Sequence, residues 1–155
     1  LLAPNKYKDL ILNSLRFLVR QGKIEVYAFV IMPNHIHLIW YIKPAYDYSK
    51  VQASFLKYTA QQIKFDLQKH HPKVLPYFKV NHIDRMYQFW QRNALSISIY
   101  SRKLFIQKME YIHHNPTQEH WQLAKTPEAY PYSTAAFYMF DNHEWDFVKH
   151  CTEVW

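Results

Sequence analysis

Glycine is almost missing from this chain: among 155 residues only Gly22 is one. Dinucleotide-binding fingerprints and Walker loops need several glycines, because backbone amides must approach phosphate closely, so both are excluded. Cysteine is equally scarce. Cys151 alone permits neither a disulfide framework nor a multi-cysteine zinc site, and it fits a reducing, cytoplasmic compartment. No apolar run approaches the ~20 residues of a membrane span and no signal peptide is visible, so no membrane partner is expected. The chain begins at Leu1 rather than Met, and a missing natural N-terminus is expected. Acidic residues are also in short supply, 12 against 19 Lys and Arg, for a formal charge of +7.

What is present suits a folded domain. Apolar residues make up 49% and aromatics 18% of the chain, which is ample for a core and unlike a disordered segment. The length fits a single domain over residues 1–155, with the stretch from about residue 126 as a C-terminal extension. Charge divides at the same place. Up to Lys125 there are 18 basic and 7 acidic residues, a net +11; from Thr126 on there are 1 and 5, a net −4. A basic body with an acidic tail suits a polyanionic partner, the tail folding back over part of the body. Charge alone equally fits an ordinary basic protein.

Apolar spacing predicts a helix over residues 7–21, stopped by Gly22. Two β-rich runs follow within residues 25–42, broken at Met32-Pro33-Asn34, because proline cannot donate to a ladder and asparagine favours turns. Residues 43–48 read as a loop. Ser49 is expected to cap a long helix to His70 with Val51, Phe55, Tyr58, Ile63 and Leu67 as its apolar stripe. Residues 76–99 read as two strands. Ser101 caps a helix over 102–114 that closes before Pro116, and Ser133 starts a short helix. The fold class is α+β, an antiparallel sheet with helices packed on one face.

The sharpest feature is Met32-Pro33-Asn34-His35-Ile36-His37-Leu38. On a strand, His35 and His37 point the same way with Cα atoms about 6.5–7 Å apart, while Ile36, Leu38 and Trp40 point oppositely into a core. Two neutral imidazoles on one face can bind one divalent cation. The same spacing is also ordinary on a wet sheet face, and spacing alone leaves both readings open. On the later helix the core stripe is Phe105, Met109 and Ile112. Tyr111 and Asn115 share a different face, with Lys108 beside them. A second apolar layer over Tyr111 is the competing reading.

These motifs together resemble the IS200-like single-tyrosine transposases of the HUH (His-hydrophobe-His) endonuclease superfamily. They are most similar to the REP-associated branch, with its MPNHxH strand and YIxxNP helix, here Tyr111-Ile-His-His-Asn115-Pro116. Phe55-Leu-Lys-Tyr-Thr59, Phe89-Trp-Gln-Arg92 and Ala129-Tyr-Pro-Tyr-Ser133 add to the likeness, which spans roughly residues 7–138. The resemblance implies a ferredoxin-like or RRM-like sheet, from which the usual first strand is absent or truncated here. It implies His35, His37 and Asn115 as ligands of Mg²⁺ or Mn²⁺, and Tyr111 as the nucleophile. The expected activity is cleavage and rejoining of single-stranded DNA near hairpins, in transposition or repeat-element processing. The chain departs from many relatives after the helix: where they continue with a valine and then a glycine-leucine pair, it reads Thr117-Gln-Glu-His-Trp121.

The chemistry follows from the residue types. A phenol titrates near pH 10, so it is a poor nucleophile without help. A divalent cation on the scissile phosphate would neutralise charge and activate phosphorus. Attack by Tyr111 gives a 5′-phosphotyrosine and a free 3′-OH, and because the bond energy is kept, a second 3′-OH can reverse the step. Lys108 is a candidate for contact with the phenolate or phosphate. Lys50, Lys57 and Lys64 recur every seven residues and could track a phosphate backbone, although a solvated helix face looks the same. Trp90 and Arg92 complete the candidate DNA contacts, Trp90 by stacking on unpaired bases. Two further readings are a catalytically inactive hairpin DNA-binding protein and an RRM-like RNA binder, which would need aromatics where the histidines lie. Relatives work either as homodimers, one subunit's tyrosine serving the other's histidines, or alone.

Overall fold

The computed structural model describes residues 1–92 and 94–154. They form two compact units, Leu1–Tyr46 with Ser98–Trp155, and Asp47–Ile97.

The first unit is built on one antiparallel pair, β1 (Ile24–Ile31) and β2 (Ile36–Ile42), an α+β arrangement. β1 is apolar at nearly every position and almost wholly buried. Helix α1 (Asn5–Arg20) buries Tyr7, Ile11, Leu12 and Leu15 at the spacing of one helical face. It ends where expected. Gly22 has φ +68, the left-handed conformation open to glycine at little cost. Its N–H donates to Val19 and that of Lys23 to Leu18, satisfying the last carbonyls of the helix.

The pairing register sets Ile31 opposite Ile36 and Val30 opposite His37, and a bulge lies between Val26 and Ala28. Met32 N–H donates to the His35 carbonyl at 2.8 Å, closing the Pro33-Asn34 turn. β2 begins at Ile36, so His35 stands on the turn just before the strand. Ile36 and Leu38 pair with buried Ile31 and Phe29 on the side away from His37, but the core is not confined to that side. Ile36, Leu38 and Trp40 are only half-buried, whereas Ile39, two residues beyond His37, is buried with Val30, Phe105 and Ile112. The side of β2 that carries the histidines is therefore continued by a core residue beneath a helix.

That helix is α3 (Arg102–His114), capped by Ser101, whose Oγ accepts from Leu104 N–H at 3.2 Å. It buries Phe105, Ile112 and His113, with Met109 partly buried against the same cluster. Asn115 keeps helical angles, φ −54 and ψ −45, and opens a 3-10 turn over Asn115–Thr117. Proline after it does not unwind this residue, so Asn115 stays one turn above Tyr111.

The acidic tail folds back as its charge suggests. Thr134 and Lys149 N–H groups donate to Phe29 and Val26 carbonyls, and Ile31 N–H donates to the Tyr132 carbonyl, so the tail lines β1 beyond its pairing with β2. Helix α4 (Ala135–Phe140) follows Thr134 rather than Ser133. Lys149 also reaches Glu25 at 2.9 Å.

The second unit carries α2 (Tyr48–His70), capped by Asp47 rather than Ser49, its carboxylate accepting from Lys50 N–H at 2.9 Å. Its buried stripe is Val51, Phe55, Thr59, Ile63 and Leu67; Tyr58 is exposed, one position off the i, i+4 row. Among the described residues of 76–99 the two expected strands are not formed. The segment holds a 3-10 turn at Leu75–Phe78 and one bridge between Lys79 and Tyr87. A sustained ladder needs a buried face, and here Ile83, Met86, Leu95 and Ile97 are exposed. Among the described residues no helix is long and apolar enough to cross a membrane.

Candidate metal and tyrosine site

Four residues singled out in the sequence meet in the first unit. His35, His37, Tyr111 and Asn115 line one cavity of about 450 Å³ together with Asn34, Gln118, His120 and Trp121. The turn and β2 supply the imidazoles, and the end of α3 supplies the phenol and the amide. The cavity exists because Phe105 and Ile112 pack α3 over Ile39, while the strand runs on past the packed stripe to the histidines.

The imidazole rings of His35 and His37 lie 4.9 Å apart, edge to face at 83°. Tyr111 stands against His37 at 5.7 Å and 79°. The phenol is 60% exposed, so no second apolar layer covers it. Asn115, in contrast, is buried. His35 Nδ1 lies 2.5 Å from Asn34 Oδ1. An oxygen acceptor there holds the proton on Nδ1 and leaves the Nε2 lone pair for a metal.

Burial pushes the His37 pKa down to about 4, and the neighbouring His35 adds to the effect. His35 is lowered too, chiefly by burial, with a side-chain hydrogen bond to Asn115 acting in the other direction. Both rings are driven toward the neutral form, the only form that can bind a cation. No group of three or more His, Cys, Asp or Glu side chains comes together among the described residues. Two imidazole nitrogens and an amide oxygen, donors of intermediate hardness, would suit Mg²⁺ or Mn²⁺.

The sequence model of the family described as "Transposase IS200 like" matches residues 3–115. The chain belongs to the IS200-like transposases. Its partner is accordingly DNA. The match spans most of the chain and ends at Asn115, the last of the four residues above. No curated protein and no solved structure matches the chain.

The remaining candidates of this IS200-like transposase are placed differently. Lys108, on α3, is half-buried and is not among the residues lining the cavity. Lys50, Lys57, Lys64, Trp90 and Arg92 all belong to the second unit. There Lys50 and Lys57 are exposed on α2. Lys64 sits over the Tyr87 ring at 5.4 Å, Trp90 Nε1 donates to Thr59 Oγ1 at 3.0 Å, and Arg92 pairs with Asp84 at 3.0 Å. These last three have structural partners of their own.

Sequence reasoning missed Asn34, Gln118, His120 and Trp121 as cavity residues. Trp121 is the most engaged, its ring 5.7 Å from His35 and 5.6 Å from His120. The available signal was the departure of Gln118 to Trp121 from the usual pattern after the helix.

Proposed function

We propose that this IS200-like transposase is an active, divalent-cation-dependent HUH endonuclease of the REP-associated kind. It cuts and rejoins single-stranded DNA near hairpins through a 5′-phosphotyrosine on Tyr111. The observation that carries this reading is the convergence of His37 and Tyr111 at 5.7 Å on one cavity with His35 and Asn115.

Each residue has a task. His35, His37 and Asn115 would hold Mg²⁺ or Mn²⁺, which when bound supplies positive charge to the scissile phosphate. The desolvated imidazoles remain neutral and available at physiological pH. Tyr111, exposed at the mouth, is reachable by a DNA strand. Its oxygen forms a bond to phosphorus as the bond to the 3′ oxygen breaks, and the exchange of one phosphodiester for another leaves the step reversible. Tyrosine and histidines belong to one chain, which supports a site complete in a monomer. A homodimer is then not required for the first cut. Lys50 and Lys57 are the better candidates for backbone contact, each adding to salt sensitivity.

The test is cleavage of a pool of single-stranded DNA hairpins with randomised flanks, read on a denaturing gel. Cuts that need Mg²⁺ or Mn²⁺ and cease with EDTA are expected. Tight hairpin binding with no cut under any divalent condition would instead mean an inactive hairpin-binding protein.

A further inference from the structure

Strand cleavage by a phenol creates a second problem that the four residues above do not solve. The departing 3′ oxygen of deoxyribose is a strongly basic alkoxide unless a proton reaches it as the bond breaks. Among the titratable side chains lining the cavity, His35 and His37 are committed as neutral ligands and Tyr111 as nucleophile. Asn34, Asn115, Gln118 and Trp121 carry no proton that can be given up near neutral pH. One group is left.

We propose that His120 is the general acid that protonates the departing 3′ oxygen, and the base that recovers that proton when a 3′-OH attacks the phosphotyrosine. This rests on the strand-transfer reading and adds to it the residue that handles the leaving group. The balance is complete: Tyr111, exposed at the mouth, gives its phenolic proton to solvent as its oxygen bonds to phosphorus, the bond from phosphorus to the 3′ oxygen breaks, and the proton on the His120 ring passes to that oxygen. An imidazole suits both directions, because the same ring nitrogen can give up a proton and take it back.

The loop holds His120 at the cavity. Trp121 and Gln122 N–H groups both donate to the Gln118 carbonyl at 2.9 Å, and Leu123 N–H donates to the Pro116 carbonyl at 2.9 Å. Gln122 takes a left-handed φ of 46 to close this turn. The Trp121 indole lies against both His35 and His120, so one ring spaces the acid from the metal-binding imidazole. The titratable groups facing the same space are His35 and His37 from the strand side and Tyr111 from α3, with Glu119 adjacent in the loop. His120 itself is exposed, and its replacement leaves the core intact.

The experiment compares leaving groups. The hairpin pool identifies a cleaved phosphodiester; that oligonucleotide is then made with a bridging 3′ sulfur at the cut, whose thiolate leaves without protonation. With the full chain and Mn²⁺, His120→Ala should slow cleavage of the ordinary DNA by about 100-fold or more. Cleavage of the sulfur-bridged DNA should match wild type, and hairpin binding should be unchanged. Equal slowing of both substrates, or no slowing of either, overturns the assignment while wild-type cleavage still supports the strand-transfer reading. Absence of wild-type cleavage overturns both.

Discussion

The ring of Tyr111 meets that of His37 edge to face at 5.7 Å, although 74 positions separate them in the chain. Nothing local enforces this contact. It follows from the packing of Phe105 and Ile112 on Ile39, which aligns the helix end with the strand's open end. The proposed nucleophile and the proposed metal-binding group are thus set by one apolar interface.

Removing one imidazole should therefore separate binding from chemistry. His37→Ala is expected to lose at least about 100-fold in divalent-dependent cleavage, since it removes one of the three proposed donors. Hairpin affinity should change little if, as proposed, basic residues such as Lys50 and Lys57 carry it. Titration of Mn²⁺ by paramagnetic resonance should show weakened binding in the variant; wild-type affinity would remove His37 from the ligand set.

Glu25 ties β1 to two lysines. Lys43 donates to it, Tyr27 O–H donates at 2.5 Å, and Lys149 from the tail at 2.9 Å. These hydrogen bonds, that from Lys43 foremost, pull its pKa from 4.5 to about 2. A depressed carboxylate stabilises the fold above its unfolded pKa and ceases to do so as pH falls through the folded one. Glu25→Gln should cost about 1–2 kcal/mol at pH 7, allowing for screening at the half-exposed lysines. The gap between wild type and variant should narrow from pH 4.5 downward and close near pH 2, as read by urea unfolding.

Thr134 joins three parts of the first unit. Its fully buried hydroxyl accepts from Phe29 N–H at 3.0 Å, reaches the Phe29 carbonyl at 3.2 Å, and lies 2.8 Å from His113 Nε2. Thr134→Val keeps the volume but strands a buried imidazole nitrogen and a backbone N–H. A loss of about 2–4 kcal/mol is expected, visible as a lowered urea midpoint. Because His113 lies on α3 two residues past Tyr111, cleavage should fall as well.

Local signals carried much of the site. The alternation of His35 and His37 and the four-residue step from Tyr111 to Asn115 were readable, because strand and helix periods are fixed by backbone geometry. The stop at Gly22 and the cap at Ser101 were readable for the same reason. Among the described residues of 76–99 the two expected strands were not formed, since an apolar composition there did not reveal that Ile83 and Leu95 would stay exposed. The burial of Ile39 on the histidine side of β2 was not readable, because it depends on the seating of α3. His120 and Trp121 escaped notice because a loop has no period. Their place depends on backbone hydrogen bonds to the Gln118 and Pro116 carbonyls, which leave no mark in residue type.

The most direct measurement is mass spectrometric location of a covalent DNA adduct after incubation with a cleavable hairpin and Mn²⁺. A nucleotide-modified peptide carrying the phosphate on Tyr111, absent from Tyr111→Phe although that variant still binds the hairpin, is the expected result. An adduct on another residue, or one that survives in Tyr111→Phe, would contradict the meeting of phenol and imidazoles as the seat of catalysis.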